Sequence, residues 1–261
     1  MKISYSVSSM VFWWRETTVS LELECQFLKS RGFGIELWPY LKGRNDCRYN
    51  RRNWPRLIEA TSGMRVSMRS RDDNPSIQQW VEQIECAKEL NANIITDLQN
   101  LRIPSDPGMI NGTAFAANVI KLAHDNNVTL SLETGNLAAV KAVGRKYDSL
   151  CYCLDIGYAN LDPKFSFKQY VDELAPRINH LHLSDNYGRT DDHLTPGLQG
   201  GMARENWDYL QNILTKYDNE IIGCLEMTPP SPSIMLRQGS EFLFDQLKWP
   251  NNPQKQPGQV L

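Results

Sequence analysis

Short apolar segments and amphipathic segments alternate eight times along this chain of 261 residues. The apolar segments have the length of β-strands and are rich in Ile, Leu and Val without strict alternation, which is typical of parallel strands covered on both faces. The predicted strands are residues 2–8, 33–38, 64–69, 93–98, 129–134, 150–156, 178–184 and 220–227. The predicted helices are residues 19–31, 52–62, 76–90, 113–126, 135–147, 167–175, 205–217 and 233–247. This pattern predicts eight β/α pairs and a parallel α/β fold.

Eight β/α pairs can form an open doubly wound sheet or a closed barrel. The open sheet usually carries a glycine-rich phosphate-binding turn after its first strand. Here residues 8–15 read SSMVFWWR, which is bulky and aromatic. We therefore predict a single-domain (β/α)8 TIM barrel over residues 1–249, with an irregular C-terminal tail over residues 250–261.

Composition limits the partners and the location. The formal net charge is -2 and no basic stripe is present, which argues against a nucleic-acid partner. The first residues lack the apolar run of a signal peptide, and no segment approaches the roughly 18 apolar residues of a membrane span. A cytoplasmic location with no membrane partner is the expectation. The 6 cysteines are scattered, which favours buried thiols over a disulfide framework.

Four predicted strands in the second half each carry, near the C-terminal end, a side chain that can bind a metal. These residues are Glu133, Asp155, His182 and Glu226. Because parallel strands of a barrel share one C-terminal rim, the four side chains are expected to converge there. Three carboxylates and one imidazole suit a divalent cation such as Mn²⁺, Co²⁺, Mg²⁺ or Zn²⁺. A single acidic residue at a strand end often caps the next helix instead, but four in succession predict one metal site.

Strand alternation predicts which residues lie beneath these four in the barrel interior. Residues two apart in a strand share a face, so Ser131, Cys153, His180 and Cys224 are expected to point inward. They are small or polarizable, except for His180, which we expect to be buried and hydrogen-bonded rather than a ligand.

Six motifs along the chain give it a resemblance to a known family. Residues 32–38 read GFGIELW, 130–134 LSLET, 154–159 LDIGYA, 180–186 HLHLSDN, 191–197 DDHLTPG and 224–227 CLEM. In this order they resemble the xylose isomerase-like TIM barrels of the sugar phosphate isomerase/epimerase family. The resemblance covers nearly the whole chain. It implies that Glu133, Asp155, His182 and Glu226 hold one divalent metal ion.

The chain departs from the pattern of that superfamily at several positions. Many members have a histidine where this chain has Tyr158. The endonucleases of the superfamily use histidines from strands three and four to build a three-metal cluster, and residues 64–69 and 93–98 contain none. The Asp191 and His193 pair does resemble the endonucleases, but the missing histidines and the acidic balance argue against a nuclease.

The resemblance implies a metal-dependent sugar isomerase or epimerase. Its metal would stabilise an enediolate while Glu133 and Glu226 act as acid and base, one removing a proton and the other returning it. The first alternative is a metal-dependent dehydratase or other lyase acting on a keto-sugar, a cyclitol or a related α-hydroxy ketone. The second is a non-catalytic sugar-binding barrel, for which the Tyr158 replacement is one argument.

Other residues are predicted to contact a small sugar or sugar-like substrate. They are Glu36, Trp38, Tyr158, Asp185, Arg189 and His193. Trp38 can equally belong to the core, and Arg189 can be a solvated loop charge. Arg69 and Arg71 can bind a phosphate or carboxylate, or form a solvated cluster. A homodimer is implied by the resemblance alone.

Overall fold

All eight predicted strands form, and they close into one barrel. The computed structural model describes residues 1–12, 20–40, 47–106, 114–198, 201–228 and 232–255. The strands are β1 (Lys2–Ser8), β2 (Gly34–Leu37), β3 (Val66–Arg69), β4 (Asn93–Thr96), β5 (Leu130–Glu133), β6 (Cys151–Asp155), β7 (Ile178–Leu183) and β8 (Glu220–Leu225). Each strand pairs in parallel with the next, and β8 pairs with β1. The predicted single-domain TIM barrel is confirmed as a fold.

Helices follow the strands and cover the outside of the barrel. They are α1 (Leu21–Lys29), α2 (Trp54–Thr61), α3 (Ile77–Glu89), α4 (Ala114–Asp125), α5 (Leu137–Lys146), α6 (Ile156–Leu161), α7 (Phe167–Leu174), α8 (Arg204–Leu214) and α9 (Pro232–Ser240). A π-helical turn over Glu241–Gln246 continues α9, so the last predicted helix consists of two parts. The six-residue α6 was not predicted from the sequence, because it is too short to show a helical period.

Several helix ends carry the side chains that their local sequence requires. Ser76 and Ser166 each form a capping box with the glutamine three residues later, which satisfies backbone amides at the starts of α3 and α7. Gly32 follows α1 with a φ of 75°, a left-handed conformation that glycine adopts readily at the end of a helix. In the aromatic segment at residues 8–15, Trp13 and Trp14 lie outside the described residues, as does the first residue of the helix predicted over residues 113–126.

The strand register confirms which residues face the barrel interior. Glu133 pairs with Cys153, Cys153 with His180, and His182 with Cys224, so these side chains share the inner face. The inner positions on β1 to β3 include Ser6, Glu36 and Ser67, all with no exposed surface. Barrel interiors are usually filled by bulky branched side chains. This interior is mainly small and polar.

A buried ion pair ties the first two strand–helix connections to α1. Arg48, which follows β2, places Nη2 3.1 Å from both carboxylate oxygens of Glu24. Its Nη1 donates to Ser9 Oγ, just after β1, at 3.1 Å. Glu24 is fully buried and Arg48 nearly so. The pair therefore holds both connections against the barrel without solvent screening.

Residues after the last helix pack against the N-terminal end of the barrel. Tyr5 donates to the Pro250 carbonyl at 3.0 Å, and the Asn251 amide donates to the Ile3 carbonyl at 2.9 Å. The boundary between barrel and tail at residue 249 stays a prediction. Among the described helices, none combines the length and apolar character that crossing a bilayer requires.

Removing one partner of the buried pair is expected to destabilise the barrel. Glu24→Ala leaves the Arg48 guanidinium buried without its counter-charge, and such a loss costs about 3–5 kcal/mol of unfolding free energy. Urea denaturation measures the change. Glu22→Ala on the same helix is the control, since Glu22 forms an exposed pair with Arg56 and such pairs contribute roughly 0–1 kcal/mol. Equal effects of the two substitutions would contradict this account.

Candidate active site

The four predicted ligand residues meet at the C-terminal rim of the barrel. Glu133, Asp155, His182 and Glu226 each offer one ligand atom, and these atoms all lie within 4.8 Å of one another. They reach this point because each lies within one residue of the C-terminal end of its strand, on the inward face. Ligands of a small divalent ion lie about 2.0–2.2 Å from it, so opposite ligands are about 4.2 Å apart. The cluster therefore has the dimensions of a metal site.

His182 lies at the centre of the cluster, with a carboxylate on each side of its ring. Its Nδ1 is 2.8 Å from Glu133 Oε1 and 3.1 Å from Glu226 Oε2. Its Nε2 lies 3.3 Å from Glu36 Oε2 on the opposite side. The ring has no exposed surface. The carboxylates of Glu36, Glu133 and Glu226 thus approach the imidazole from two sides.

Arg69 also belongs to this cluster. Its Nη1 lies 2.6 Å from Glu133 Oε1, and its side chain is only 16% exposed. The guanidinium carbon lies 5.3 Å from the centre of the Trp38 ring. Arg71, by contrast, pairs with Asp73 near the surface at 2.6 Å. Of the two arginines that the sequence could not separate, only Arg69 enters the cluster.

Burial and neighbouring charges give Glu133 and Glu226 different pKa values. Burial raises the pKa of Glu133, but Arg69 and His182 outweigh it and lower the net pKa to about 2. Burial also raises the pKa of Glu226, where Glu36 and Glu133 add to it, and the pKa reaches about 7 although His182 and Arg69 oppose the rise. Burial lowers the pKa of His182, but Cys153, Glu226 and Glu36 raise it well above the ordinary value. The cluster thus holds excess negative charge that attracts protons or a cation.

Asp155 has two functions in this structure. Its Oδ1 accepts a 2.9 Å hydrogen bond from the Tyr158 backbone amide and so caps α6. Its carboxylate also belongs to the four-residue cluster. The capping role and the ligand role that the sequence offered as alternatives are therefore geometrically compatible.

A cavity of about 770 Å³ opens beside the cluster. Glu133 is the member of the cluster that lines it, together with Asp97, Arg102, Asn136 and Tyr158 among others. Tyr158 is 38% exposed. A ligand in this cavity would therefore meet Glu133 and Tyr158 directly.

The other predicted substrate residues lie in different surroundings. Trp38 is partly buried and donates from Nε1 to Ser8 Oγ at 2.8 Å. Glu36 is fully buried beneath His182. Arg189 is exposed in the connection after β7. The structure gives positions for these side chains, and their contact with a substrate stays a prediction.

His193 and Asp185 lie in the connection that follows β7 and contact its backbone or its neighbours. His193 lies 3.3 Å from the Glu226 carbonyl through Nδ1 and 3.3 Å from Asp191 through Nε2. Burial lowers the pKa of His193, but Asp191 and Glu226 raise it to about 9. Asp185 is buried, and its carboxylate accepts from the backbone amides of Asn186 at 2.8 Å, Gly197 at 3.2 Å and Met202 at 2.7 Å. In this structure Asp185 organises the loop backbone.

Asp185→Ala is expected to lower the free energy of unfolding by about 2–4 kcal/mol, because it leaves three backbone N–H groups without their acceptor. Metal content should stay at the wild-type level, since Asp185 is outside the four-residue cluster. Thermal unfolding and elemental analysis measure the two quantities. Asp192→Ala is the matched control in the same loop, where the carboxylate receives an exposed hydrogen bond from Thr190. Unchanged stability with a raised KM would instead support substrate binding by Asp185.

No protein-family model matches the chain, and no curated protein matches it in sequence. Solved structures do match in fold. D-psicose 3-epimerase from Clostridium cellulolyticum H10, solved with D-tagatose, is 14% identical over 94% of this chain and 98% of its own, with a TM-score of 0.66. An L-ribulose 3-epimerase is 18% identical over 97% and 90%, with a TM-score of 0.59.

A third match is the xylose isomerase domain protein from Planctomyces limnophilus, which is 11% identical over 95% of each chain with a TM-score of 0.63. At such identities the likeness concerns the fold. The chain thus has the barrel fold of xylose isomerase-like sugar isomerases and epimerases, with a buried cluster of acidic residues and histidine that could bind a metal.

Proposed function

We propose that this protein is a divalent-metal-dependent sugar isomerase or epimerase. Its structural neighbours include epimerases of ketoses, and its buried cluster combines three carboxylates with one imidazole. Such a donor set suits one Mn²⁺, Co²⁺, Mg²⁺ or Zn²⁺ ion. Glu133, Asp155, His182 and Glu226 are the proposed ligands.

The position of His182 Nδ1 is the observation that carries the proposal. The atom is buried and has no hydrogen-bond partner of good geometry among the described residues, yet two carboxylate oxygens lie at 2.8 and 3.1 Å. Carboxylate oxygens and an unprotonated ring nitrogen all present lone pairs. A proton or a cation must therefore lie among them. A divalent cation balances this charge better than one proton, because Asp155 adds a third carboxylate to the same cluster.

Two glutamates are available for proton transfer on a bound sugar. A bound divalent cation would polarise adjacent carbonyl and hydroxyl oxygens and stabilise an enediolate. Glu133 comes from β5 and borders the cavity, while Glu226 follows β8 and is almost completely buried. We propose that one of them removes a proton from carbon and the other returns it. Return to the same carbon gives an epimer, and return to its neighbour gives an isomer.

Groups along the cavity can orient the hydroxyls of a sugar. The Tyr158 hydroxyl can donate or accept, and Asn136 and Asp97 border the same space. Arg69 fixes the Glu133 carboxylate from the side. The structural neighbour solved with D-tagatose supports a ketose as the substrate class.

A homodimer stays a prediction.

Metal content is the first test of this proposal. Wild-type protein reconstituted with Mn²⁺ should hold about one ion per chain, while Glu133→Gln and His182→Ala should lose it because each removes a ligand. At a free concentration of about 100 times Kd, the ion should raise the unfolding free energy of the wild type by about 2.7 kcal/mol and leave the two variants unchanged. Elemental analysis and urea denaturation measure these effects.

His124→Ala is the control, since His124 lies on α4 with its side chain 71% exposed. It should bind Mn²⁺ as the wild type does. The loaded wild type should then incorporate deuterium from heavy water into a ketose without change of carbon skeleton. Absence of metal in the wild type after reconstitution would reject the proposed site. Loss of water from the sugar would show the lyase alternative, and binding without exchange would show the non-catalytic barrel.

A further inference from the structure

Glu36 lies beneath the proposed metal site, on the side of His182 that faces away from the ligands. It stands on β2, while His182 stands on β7, so the contact crosses the barrel interior past β1 and β8. Glu36 and His182 both have no exposed surface. The cavity beside Glu133 is not lined by Glu36. A direct contact between Glu36 and a ligand in that cavity is therefore unsupported by the geometry.

Small inward side chains make this contact possible. Ser6 on β1 and Cys224 on β8 are register partners of each other, and both lie between β2 and β7 in the barrel. Bulky residues at these positions would fill the interior, as they do in most barrels of this kind. Serine and cysteine leave the Glu36 carboxylate free to reach the imidazole. The small side chains at these two positions thus leave room for the contact between Glu36 and His182.

The Glu36 carboxylate determines which nitrogen of His182 carries a hydrogen. Oε2 lies 3.3 Å from His182 Nε2 in hydrogen-bonding geometry. An ionised carboxylate can only accept, so Nε2 must donate. In a neutral imidazole the lone pair is then on Nδ1, which faces Glu133 and Glu226. That tautomer is the one a metal ligand needs at this position.

A second imidazole ring, that of His180, also approaches Glu36 Oε2. Its Nε2 lies 2.9 Å from Glu36 Oε2, but the contact does not have the geometry of a hydrogen bond. The two imidazole rings meet edge to face, with centres 5.4 Å apart. His180 therefore limits the movement of the Glu36 carboxylate, while the aligned hydrogen bond goes to His182.

We propose that Glu36 is a positioning residue that fixes the tautomer and orientation of His182 for metal binding, instead of contacting the substrate. This inference rests on the proposed metal site. A carboxylate behind a ligating histidine raises its basicity and holds its ring, and loss of such a partner typically lowers metal affinity about 10–100-fold. Glu36 is thus expected to affect the metal without touching it.

Glu36→Gln tests the inference, because glutamine keeps the shape and removes the charge. Competition between the metal-free protein and a chelator for Mn²⁺ should give a Kd about 10–100-fold higher than that of the wild type. Ser67→Ala is the matched control, since Ser67 pairs with Glu36 in the sheet and is equally buried. Its Kd should stay within about threefold of the wild type. An unchanged Kd in folded Glu36→Gln would overturn the inference while leaving the metal site intact.

A second measurement uses the wild type and does not depend on the folding of a variant. Long-range ¹H–¹⁵N correlation spectra of the histidine side chains, recorded with Zn²⁺ bound, report which ring nitrogen of His182 carries hydrogen. Hydrogen on Nε2 is expected. Hydrogen on Nδ1 would overturn the inference, and a wild type that binds neither Mn²⁺ nor Zn²⁺ would overturn it together with the proposed function.

Discussion

The concentration of negative charge around His182 is the constraint on which the rest of the site depends. Glu36, Glu133, Asp155 and Glu226 all approach one imidazole in a region with little solvent. Burying unpaired charges costs more free energy than the net stability of a folded domain. Arg69 offsets one carboxylate. The remaining charge requires protons or a cation, so folding of the rim and occupation of the site are thermodynamically linked.

Most of the fold and the positions of the four central residues could be predicted from the sequence. Eight apolar segments of strand length specify a parallel sheet, and the side-chain alternation in each strand assigns the inward face. The common end of Glu133, Asp155, His182 and Glu226 follows from strand direction alone. These are regularities of backbone geometry, which a sequence pattern records directly.

The sequence does not predict in the same way how deeply a side chain is buried or which residue it contacts. Alternation places Glu36 on the inner face, but it does not show that the carboxylate crosses to His182. Arg69 and Arg71 are also equivalent by alternation, and only tertiary packing places one beside Glu133 and the other beside Asp73. Asp185 lies in a segment that resembles a family motif, whereas its three backbone contacts depend on how a long loop folds back.

The cap on α6 has a consequence for the denticity of the proposed site. Asp155 commits Oδ1 to the Tyr158 amide, so this carboxylate has one oxygen fully available to an ion. Mg²⁺-like ions prefer six donors in octahedral arrangement. If each of the four side chains supplies a single donor atom, two coordination positions stay open to molecules from outside the protein. That number equals the pair of vicinal oxygens that a ketose presents, so under the proposed function the six-residue α6 would help to determine how many coordination positions of a bound ion are left for a substrate.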